Sequence, residues 1–335
     1  MHPSISVIVP AYNAEKTIHD CLKNIIDETK DFTKEIIVID DCSTDRTFEK
    51  VKEFTDVKII KLDSNQGVGF ARSYGAKVSN YNTLVYVDSD VIVLKDSIKL
   101  IVDYLDKEKV GSTGAIQKLE NLNKDAWSSN FVCLKSCYGY EEQSNFIEAS
   151  NIQSEFCAIT KEFLQSIKGW KHYKGAGGEE YALGYRINLA GKKNILIKKA
   201  KYATYYQSLY KRFLRIIDRT EKYIEILFEK KKFDSKGSFA TSGQALSSFF
   251  TGVIILSLIF SLMVKDLYFI PIMLLLFQTY IEFNFLRFAN KYFGIKMLVF
   301  SFLGIHVINL DIILGALLYI IKKLKNLSLN LFKND

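Results

Sequence analysis

The sequence predicts an α/β domain with a mostly parallel sheet, followed by transmembrane helices. Three observations indicate this fold class. Short apolar strands alternate with helices over the first part of the chain, several of these strands end in polar or acidic residues, and the chain is mostly apolar from about residue 245 onward. Strands that alternate with helices are typical of βαβ units. The 335 residues are enough for such a domain and a further region.

The first elements follow from apolar runs bounded by turn residues. Ile18, Leu22 and Ile25, for example, recur at helical spacing after the turn that ends the first strand. The predicted strands are Ser4–Pro10, Glu35–Ile39, Val57–Leu62, Leu84–Val87 and Val110–Ile116, and the predicted helices are Ala14–Asp27, Asp45–Phe54 and Phe70–Val78.

The stretch LVYVDSD at residues 84–90 is the first candidate site. A buried strand stops abruptly on Asp88, Ser89 and Asp90. Ligands of open α/β sheets bind in the crevice at the carboxyl ends of the strands, where these carboxylates are expected. Carboxylate oxygens suit Mg²⁺ or Mn²⁺, and such an ion can neutralise a diphosphate leaving group. The alternative interpretation is a solvated acidic turn.

Two neighbouring strand ends carry related chemistry. The first strand ends in Pro10, Tyr12 and Asn13, and the second ends in Asp40 and Asp41. Carboxylates there can accept hydrogen bonds from a ribose hydroxyl or a base N–H. Each feature also has an ordinary structural explanation, since aspartates cap helices and Tyr-Asn pairs occupy turns.

Four strings in this order resemble the family 2 glycosyltransferases, which have the nucleotide-sugar-binding GT-A fold. They are SVIVPAYN at 6–13, IIVIDDCSTD at 36–45, NQGVGFARSYGA at 65–76 and VYVDSD at 85–90. The resemblance covers roughly residues 4–200 and implies a donor site made of Pro10, Tyr12, Asn13, Asp40, Asp41, Gly67, Arg72, Asp88 and Ser89. By the same resemblance, Asp90 with Asp88 would hold Mg²⁺ or Mn²⁺.

A second acidic site lies at GGEEYAL, residues 177–183. The resemblance places Glu180 where the family has its catalytic aspartate, with Glu179 beside it and Arg186 following. A carboxylate here would take a proton from the acceptor hydroxyl. The alternative is an acidic first turn, which is favourable at a helix N-terminus. Trp170 and Arg186 are the predicted acceptor-binding residues, although Trp170 could equally fill the core.

The last third of the chain predicts membrane association. Residues 201–244 form an expected interfacial linker, in which 209–228 reads as an amphipathic helix that lies in the interface or packs on the catalytic domain. Residues 245–325 contain three apolar segments, Leu246–Val264, Leu267–Leu286 and Met297–Ile321. The third carries polar residues and is interpreted as packed, re-entrant or interfacial.

Charge then assigns an orientation and excludes one class of partner. The net charge of +8 collects near the start of the apolar region, which favours anionic lipid over nucleic acid. The positive-inside bias places the catalytic domain, residues 1–200, on the cytoplasmic face of a multi-pass membrane protein.

The resulting hypothesis is an inverting glycosyltransferase. It would move a sugar from a UDP-sugar to a hydroxyl of a lipid-linked or saccharide acceptor, in cell-surface polysaccharide or glycolipid synthesis. Two alternatives remain at this stage. One is a polyprenyl-phosphate glycosyltransferase, whose ionised acceptor needs no base, and the other is a non-catalytic membrane subunit that binds the sugar nucleotide.

Overall fold

The computed structural model describes residues 3–123, 127–140, 145–173, 177–230 and 242–331. The chain divides into two compact units, each built from two segments. Unit 1 comprises Met1–Lys124 and Gly139–Tyr206, and unit 2 comprises Asp125–Tyr138 and Gln207–Asp335. The functional division at residues 200 and 244 stays a prediction, and positions 231–241 of the expected linker lie outside the described residues.

The elements of unit 1 follow the alternation that the sequence predicts. Its strands are β1 (Ile5–Ala11), β2 (Lys34–Asp40), β3 (Val57–Lys61), β4 (Thr83–Val87), β5 (Val91–Val93), β6 (Val110–Asn121), β7 (Phe146–Ala149), β8 (Phe156–Thr160) and β9 (Lys193–Thr204). Its helices are α1 (Ile18–Glu28), α2 (Thr47–Lys52), α3 (Val68–Val78), α4 (Ser97–Leu105), α6 (Lys161–Ser166) and α7 (Glu179–Leu189), while α5 (Trp127–Cys137) belongs to unit 2.

The described strands form one mixed sheet in the order β3-β2-β1-β4-β8-β6-β9-β5, with β7 paired to β9. The strands β1 to β4 are parallel, as predicted. The other half of the sheet is mixed and not mostly parallel. There β6 and β9 are parallel, whereas β8 runs antiparallel to both β4 and β6, and β5 and β7 run antiparallel to β9. Local apolar patterns carry no information on which distant strands pair.

Successive side chains along each strand point to opposite faces of the sheet. Val7 and Val9 of β1 pack with α1 on one face, whereas Ile8 packs with β4 and β8 on the other. Helix α3 lies very close to β1, since a Cβ on Gly75 would stand 2.4 Å from Ile8 Cγ2. This close approach fixes the position of Arg72, one turn earlier on α3.

Unit 2 contains α5, α8 (Leu209–Lys230), α9 (Ser242–Met263), α10 (Phe269–Ile281) and α11 (Phe283–Leu331). Among the described residues, two helices are long and apolar enough to cross a membrane, Ser242–Met263 and Phe283–Lys325. The predicted middle span, 267–286, is not one helix. It breaks at Glu282, and its 13-residue helix α10 falls short of the about 20 residues that a crossing needs.

A buried polar network joins the three apolar helices. The amide of Asn309 on α11 donates to Ser247 and Thr251 of α9 at 3.0 and 2.9 Å, and its oxygen accepts from Gln244 at 2.6 Å. Gln278 of α10 donates to Thr251 at 2.8 Å. Polar groups surrounded by apolar helices need partners within the protein, so this network pairs polar residues that the sequence left unexplained.

The remaining two helices of unit 2 pack on α11 at glycines. A Cβ on Gly315 would stand 2.7 Å from Thr220 of α8, and a Cβ on Gly304 would stand 2.8 Å from the ring of Phe131 on α5. Both glycines therefore allow a close approach between helices. Helix α5, which lies between β6 and β7 in the chain, is part of the helical unit.

Candidate active site

The carboxyl ends of β1, β2 and β4 bring the predicted strand-end residues to one edge of the sheet. Asp40 lies level with Ala11, because these two residues pair across β1 and β2. Tyr86 pairs with Ile8, so Asp88 lies level with Pro10 on the other side of β1. Adjacent strands are about 4.8 Å apart, which places Asp40 and Asp88 roughly 10 Å apart across the end of β1.

The turn after β1 is fastened to the turn after β2. Asn13 has a positive φ of 51° and donates its backbone N–H to Ser43 Oγ at 3.0 Å. Its side-chain oxygen accepts the backbone N–H of Thr44 at 2.9 Å. Asn13 is thus occupied by the fold, while Tyr12 is 50% exposed beside it. Of the three predicted residues at this strand end, Pro10 is buried, and Tyr12 and Asn13 are both exposed.

The adjacent aspartates Asp40 and Asp41 have different surroundings. The two oxygens of Asp41 accept the backbone N–H groups of Gln66 and Gly67 at 2.7 and 2.9 Å. Asp40 accepts one N–H, from Ser43 at 2.9 Å, and its buried Oδ2 makes no hydrogen bond to a described residue. Asp41 therefore holds the loop that leads into α3, and Asp40 retains acceptor capacity.

Gly67 forms the N-cap of α3 with a φ of 89°. L-residues with a side chain avoid this conformation, so glycine allows the chain to turn from the Asp41 hydrogen bond directly into the helix. The place in the donor site that the resemblance implies for Gly67 is compatible with this geometry and stays a prediction.

Arg72 of α3 connects the two acidic sites. It is 1% exposed and donates to Asp88 Oδ1 at 2.7 Å and to Glu179 Oε1 at 3.1 Å. Burial alone would lower the pKa of Arg72, but the two carboxylates more than offset it and raise the pKa above its ordinary value. Arg72 is thus a permanently charged bridge behind Asp88, and its contact with a donor would run through that carboxylate.

The loop of Asp88, Ser89 and Asp90 is held at both ends by hydrogen bonds of its backbone groups. The N–H of Asp88 donates to Glu155 O at 2.9 Å, and Asp90 O accepts the Thr204 hydroxyl at 3.0 Å. The Asp88 side chain remains 24% exposed. Burial raises the pKa of Asp88, Arg72 opposes that shift, and the nearby charge of Glu155 adds to it.

The donor set at this loop fits a magnesium-like ion that arrives with its substrate. In the described parts of the chain, no group of three or more His, Cys, Asp and Glu side chains could hold a metal alone. Mg²⁺ typically takes one or two carboxylates and completes its shell with phosphates and water. Asp88 and Asp90 are the two carboxylates of this loop that would take that part, and their role as metal ligands stays a prediction.

The second acidic pair begins α7. Gly177 and Gly178 have φ values of 100° and 95°, and the helix starts at Glu179. Glu179 is 3% exposed and engaged with Arg72, whereas Glu180 is half-buried. Glu179 is thus used to hold Arg72, and the assignment of Glu180 as the base stays a prediction of the resemblance.

Both predicted acceptor-binding residues are used by the fold. Trp170 is 3% exposed, its ring packs edge-on against Tyr86 with centroids 5.3 Å apart, and the Arg72 guanidinium lies 4.9 Å from it. This favours the core-filling interpretation of Trp170. Arg186 donates to the backbone oxygens of Ile167 and Lys168 at 2.9 and 3.2 Å, near the C-terminus of α6, so it anchors that helix.

The sequence reasoning missed Glu155. This residue precedes β8, and its Oε2 accepts the hydroxyl of Tyr202 on β9 at 2.8 Å and the amide of Gln117 on β6 at 3.5 Å. Gln153 donates to the same Tyr202 hydroxyl. No local motif marks Glu155, since its position beside Asp88 arises from the antiparallel pairing of β4 with β8.

Comparison with known proteins agrees with this geometry. Residues 6–167 match the model of the family described as Glycosyl transferase family 2. The mannosyltransferase PcManGT from Pyrobaculum calidifontis, solved in complex with GDP-Man and Mn²⁺, superposes with a TM-score of 0.57 over 96% of this chain and 88% of its own. At 16% sequence identity this likeness shows the fold alone.

Two Staphylococcus aureus enzymes are similar in sequence. Poly(ribitol-phosphate) beta-N-acetylglucosaminyltransferase TarS is 35% identical over 109 residues, which is 30% of this chain and 19% of TarS. Poly-beta-1,6-N-acetyl-D-glucosamine synthase is 26% identical over 193 residues, which is 56% of this chain and 46% of the synthase. The chain thus spans less than half the length of these relatives.

The sheet, its acidic edge and these similarities define a GT-A domain. The chain carries a domain of glycosyl transferase family 2, and this domain includes the strand ends that bear Asp40 and Asp88.

Proposed function

We propose that this chain transfers a sugar, with inversion, from a nucleoside diphosphate sugar to a hydroxyl of a lipid-linked or saccharide acceptor. We further propose that a UDP-sugar is the donor and that the reaction serves cell-surface polysaccharide or glycolipid synthesis. The similarity to a poly(ribitol-phosphate) beta-N-acetylglucosaminyltransferase and to a poly-beta-1,6-N-acetyl-D-glucosamine synthase supports this direction.

The observation that carries the proposal is the bridge through Arg72. Its guanidinium contacts Asp88, at the end of β4, and Glu179, at the start of α7. The candidate base, Glu180, directly follows Glu179. The donor edge and the candidate base are therefore connected by one buried cation, as a direct displacement requires of its leaving-group site and its base.

The proposed reaction is a single displacement. Glu180 takes the proton of the acceptor hydroxyl while the acceptor oxygen forms a bond to the anomeric carbon. The bond from that carbon to the diphosphate breaks, and its electron pair leaves with the diphosphate. Attack opposite the leaving group inverts the anomeric centre. Bound at Asp88 and Asp90, Mg²⁺ or Mn²⁺ would neutralise charge on the leaving diphosphate.

The C-terminal helices support a membrane location for this reaction. Two helices in the described part of the chain have the length and composition of membrane spans. We propose a multi-pass arrangement with the catalytic domain on the cytoplasmic face, where sugar nucleotides and a lipid-linked acceptor would meet.

The proposal is tested on the full chain in detergent with UDP-N-acetylglucosamine, UDP-glucose and GDP-mannose, each with Mn²⁺ and with EDTA. One UDP-sugar should raise the thermal midpoint with Mn²⁺ and not with EDTA, since a ligand at 100 times its Kd stabilises by about 2.7 kcal/mol. Turnover with a membrane-lipid extract should follow. If no sugar nucleotide stabilises the protein with Mn²⁺, the proposal is wrong.

A variant of the proposed metal ligand sharpens this test. Asp90→Asn should abolish the Mn²⁺-dependent stabilisation, measured as the difference between the thermal midpoints of the same variant with donor and Mn²⁺ and with donor and EDTA. Glu162→Gln removes an exposed carboxylate on α6 and serves as the control. Stabilisation that survives Asp90→Asn unchanged would contradict the metal role.

A further inference from the structure

A carboxylate that no motif marks lies beside the proposed donor site. The carbonyl oxygen of Glu155 accepts the backbone N–H of Asp88 at 2.9 Å, so the two residues are adjacent across the β4–β8 pair. Glu155 is half-buried and Asp88 is 24% exposed. Two acidic side chains are thus held next to each other at the same edge of the sheet.

One carboxylate oxygen of Glu155, Oε2, is held by a buried hydrogen-bond donor. The Tyr202 hydroxyl donates to Oε2 at 2.8 Å, and Gln153 donates in turn to the Tyr202 oxygen. Tyr202 is fully buried, and its burial, together with the charge of Glu155, raises the pKa of its hydroxyl well above the ordinary value. Tyr202 therefore stays a protonated donor and orients the carboxylate.

The other oxygen is available. Glu155 Oε1 receives no hydrogen bond from any described residue, and it does not belong to the buried, unpaired side-chain atoms of the described chain, so it reaches solvent. The fold itself needs only an acceptor for Tyr202, which a glutamine would also supply. The negative charge at this position consequently has no structural use that the contacts explain.

We propose that Glu155 Oε1 accepts a hydrogen bond from a hydroxyl of the donor's sugar and so selects which sugar is transferred. This inference rests on the proposed function, because it requires a nucleotide sugar at Asp88. A carboxylate held by a buried tyrosine has a fixed direction and binds a hydroxyl at a defined ring position. A sugar that lacks that hydroxyl, or presents its epimer, leaves the charge without a partner.

The test compares two ligands on the full chain in detergent, UDP with Mn²⁺ and UDP-N-acetylglucosamine with Mn²⁺. For Glu155→Gln, we expect UDP to bind within about twofold of the wild type. UDP-N-acetylglucosamine should bind about tenfold more weakly, as expected when a charge-assisted hydrogen bond becomes a neutral one. Glu162→Gln is the matched control and should change neither affinity.

Tyr202→Phe provides an independent variant. It keeps the buried ring and removes only the hydroxyl that orients Glu155, so we expect a weaker loss of the same kind, about threefold for the sugar nucleotide and none for UDP. The preference for UDP-N-acetylglucosamine over UDP-N-acetylgalactosamine, measured as a ratio of affinities, should fall towards one in Glu155→Gln.

Three outcomes would overturn the inference. Equal losses for UDP and the sugar nucleotide would assign Glu155 to the metal or to the fold. Unchanged affinities for both would remove it from the donor site, and a rise in acceptor KM with unchanged donor affinity would assign it to the acceptor. If the wild type binds no sugar nucleotide at all, the proposed function fails first, which distinguishes the two failures.

Discussion

Unit 1 contains two pairs of consecutive acidic residues, Asp40–Asp41 and Glu179–Glu180, whose members can be compared. In the pair after β2, Asp41 accepts two backbone N–H groups, and Asp40 keeps a buried oxygen without a hydrogen bond among the described residues. In the pair at the start of α7, Glu179 is bound to Arg72, and Glu180 is half-buried. In the first pair Asp41 fixes backbone, in the second Glu179 binds a buried side chain, and in both the neighbouring carboxylate has different surroundings.

This comparison teaches that charge density alone does not identify the reactive group. Asp41 and Glu179 carry the same formal charge as their neighbours, yet both are engaged in hydrogen bonds that hold the fold. Burial does not separate the members of the first pair, because Asp40 is fully buried and Asp41 is almost so. If the division is correct, substitutions within one pair should separate loss of stability from loss of activity.

The largest effect is expected for Glu180→Gln. Removing a general base lowers kcat by about 10²–10⁴-fold, whereas the thermal midpoint should stay near that of the wild type. Initial rates with the preferred donor and acceptor measure the first quantity, and Glu162→Gln is the control. A mild decrease would point instead to an ionised phosphate acceptor, which needs no base.

The partner substitution, Glu179→Gln, should behave in the opposite way. It leaves the buried Arg72 with one carboxylate fewer and costs about 2 kcal/mol, which lowers the thermal midpoint by about 5 °C for a unit of this size. Thermal denaturation of the full chain in detergent measures this shift. A midpoint equal to that of Glu180→Gln would remove the distinction between the two glutamates.

The Asp40–Asp41 pair allows the same comparison, with smaller expected changes in stability. Asp41→Asn retains one acceptor for two N–H groups and should cost about 1–2 kcal/mol. Asp40→Asn keeps the bond from Ser43 and should change the midpoint little, while it weakens binding of UDP with Mn²⁺. Equal destabilisation by both variants would contradict the assignment of Asp41 to the loop and Asp40 to the donor.

The smallest effect concerns the residue after Asp41. Cys42 has a φ of 63°, a conformation that costs an L-residue about 1–2 kcal/mol. The positive φ angles just before Glu179 and Glu180 are instead taken by glycines, Gly177 and Gly178. Cys42→Gly should therefore stabilise the protein by about 0.5 kcal/mol after the extra entropy of an unfolded glycine is counted. Cys42→Ala should give no such gain, and equal midpoints for the two variants would exclude relief of strain as the cause.

Local patterns in the sequence predicted the strand ends correctly and the partners of their side chains poorly. The apolar runs before Asp40 and Asp88 fix two strands, and parallel pairing then brings both aspartates to one edge. The bond between Arg72 and Glu179 joins residues 107 positions apart, and nothing near either residue encodes it. Glu155 was missed for the same reason, because it comes to lie beside Asp88 only through the antiparallel pairing of β8, which follows Glu155, with β4, which precedes Asp88.

The segment that carries α5 has a practical consequence for anyone who shortens this protein. The chain leaves unit 1 after Lys124, returns at Gly139 and leaves again after Tyr206. A fragment that stops at Tyr206 would keep α5 but lose Phe285 and Phe300, whose rings contact Phe131. The apolar face of α5 would then be exposed to water. Such a fragment should therefore aggregate unless residues 125–138 are also replaced by a short polar connection.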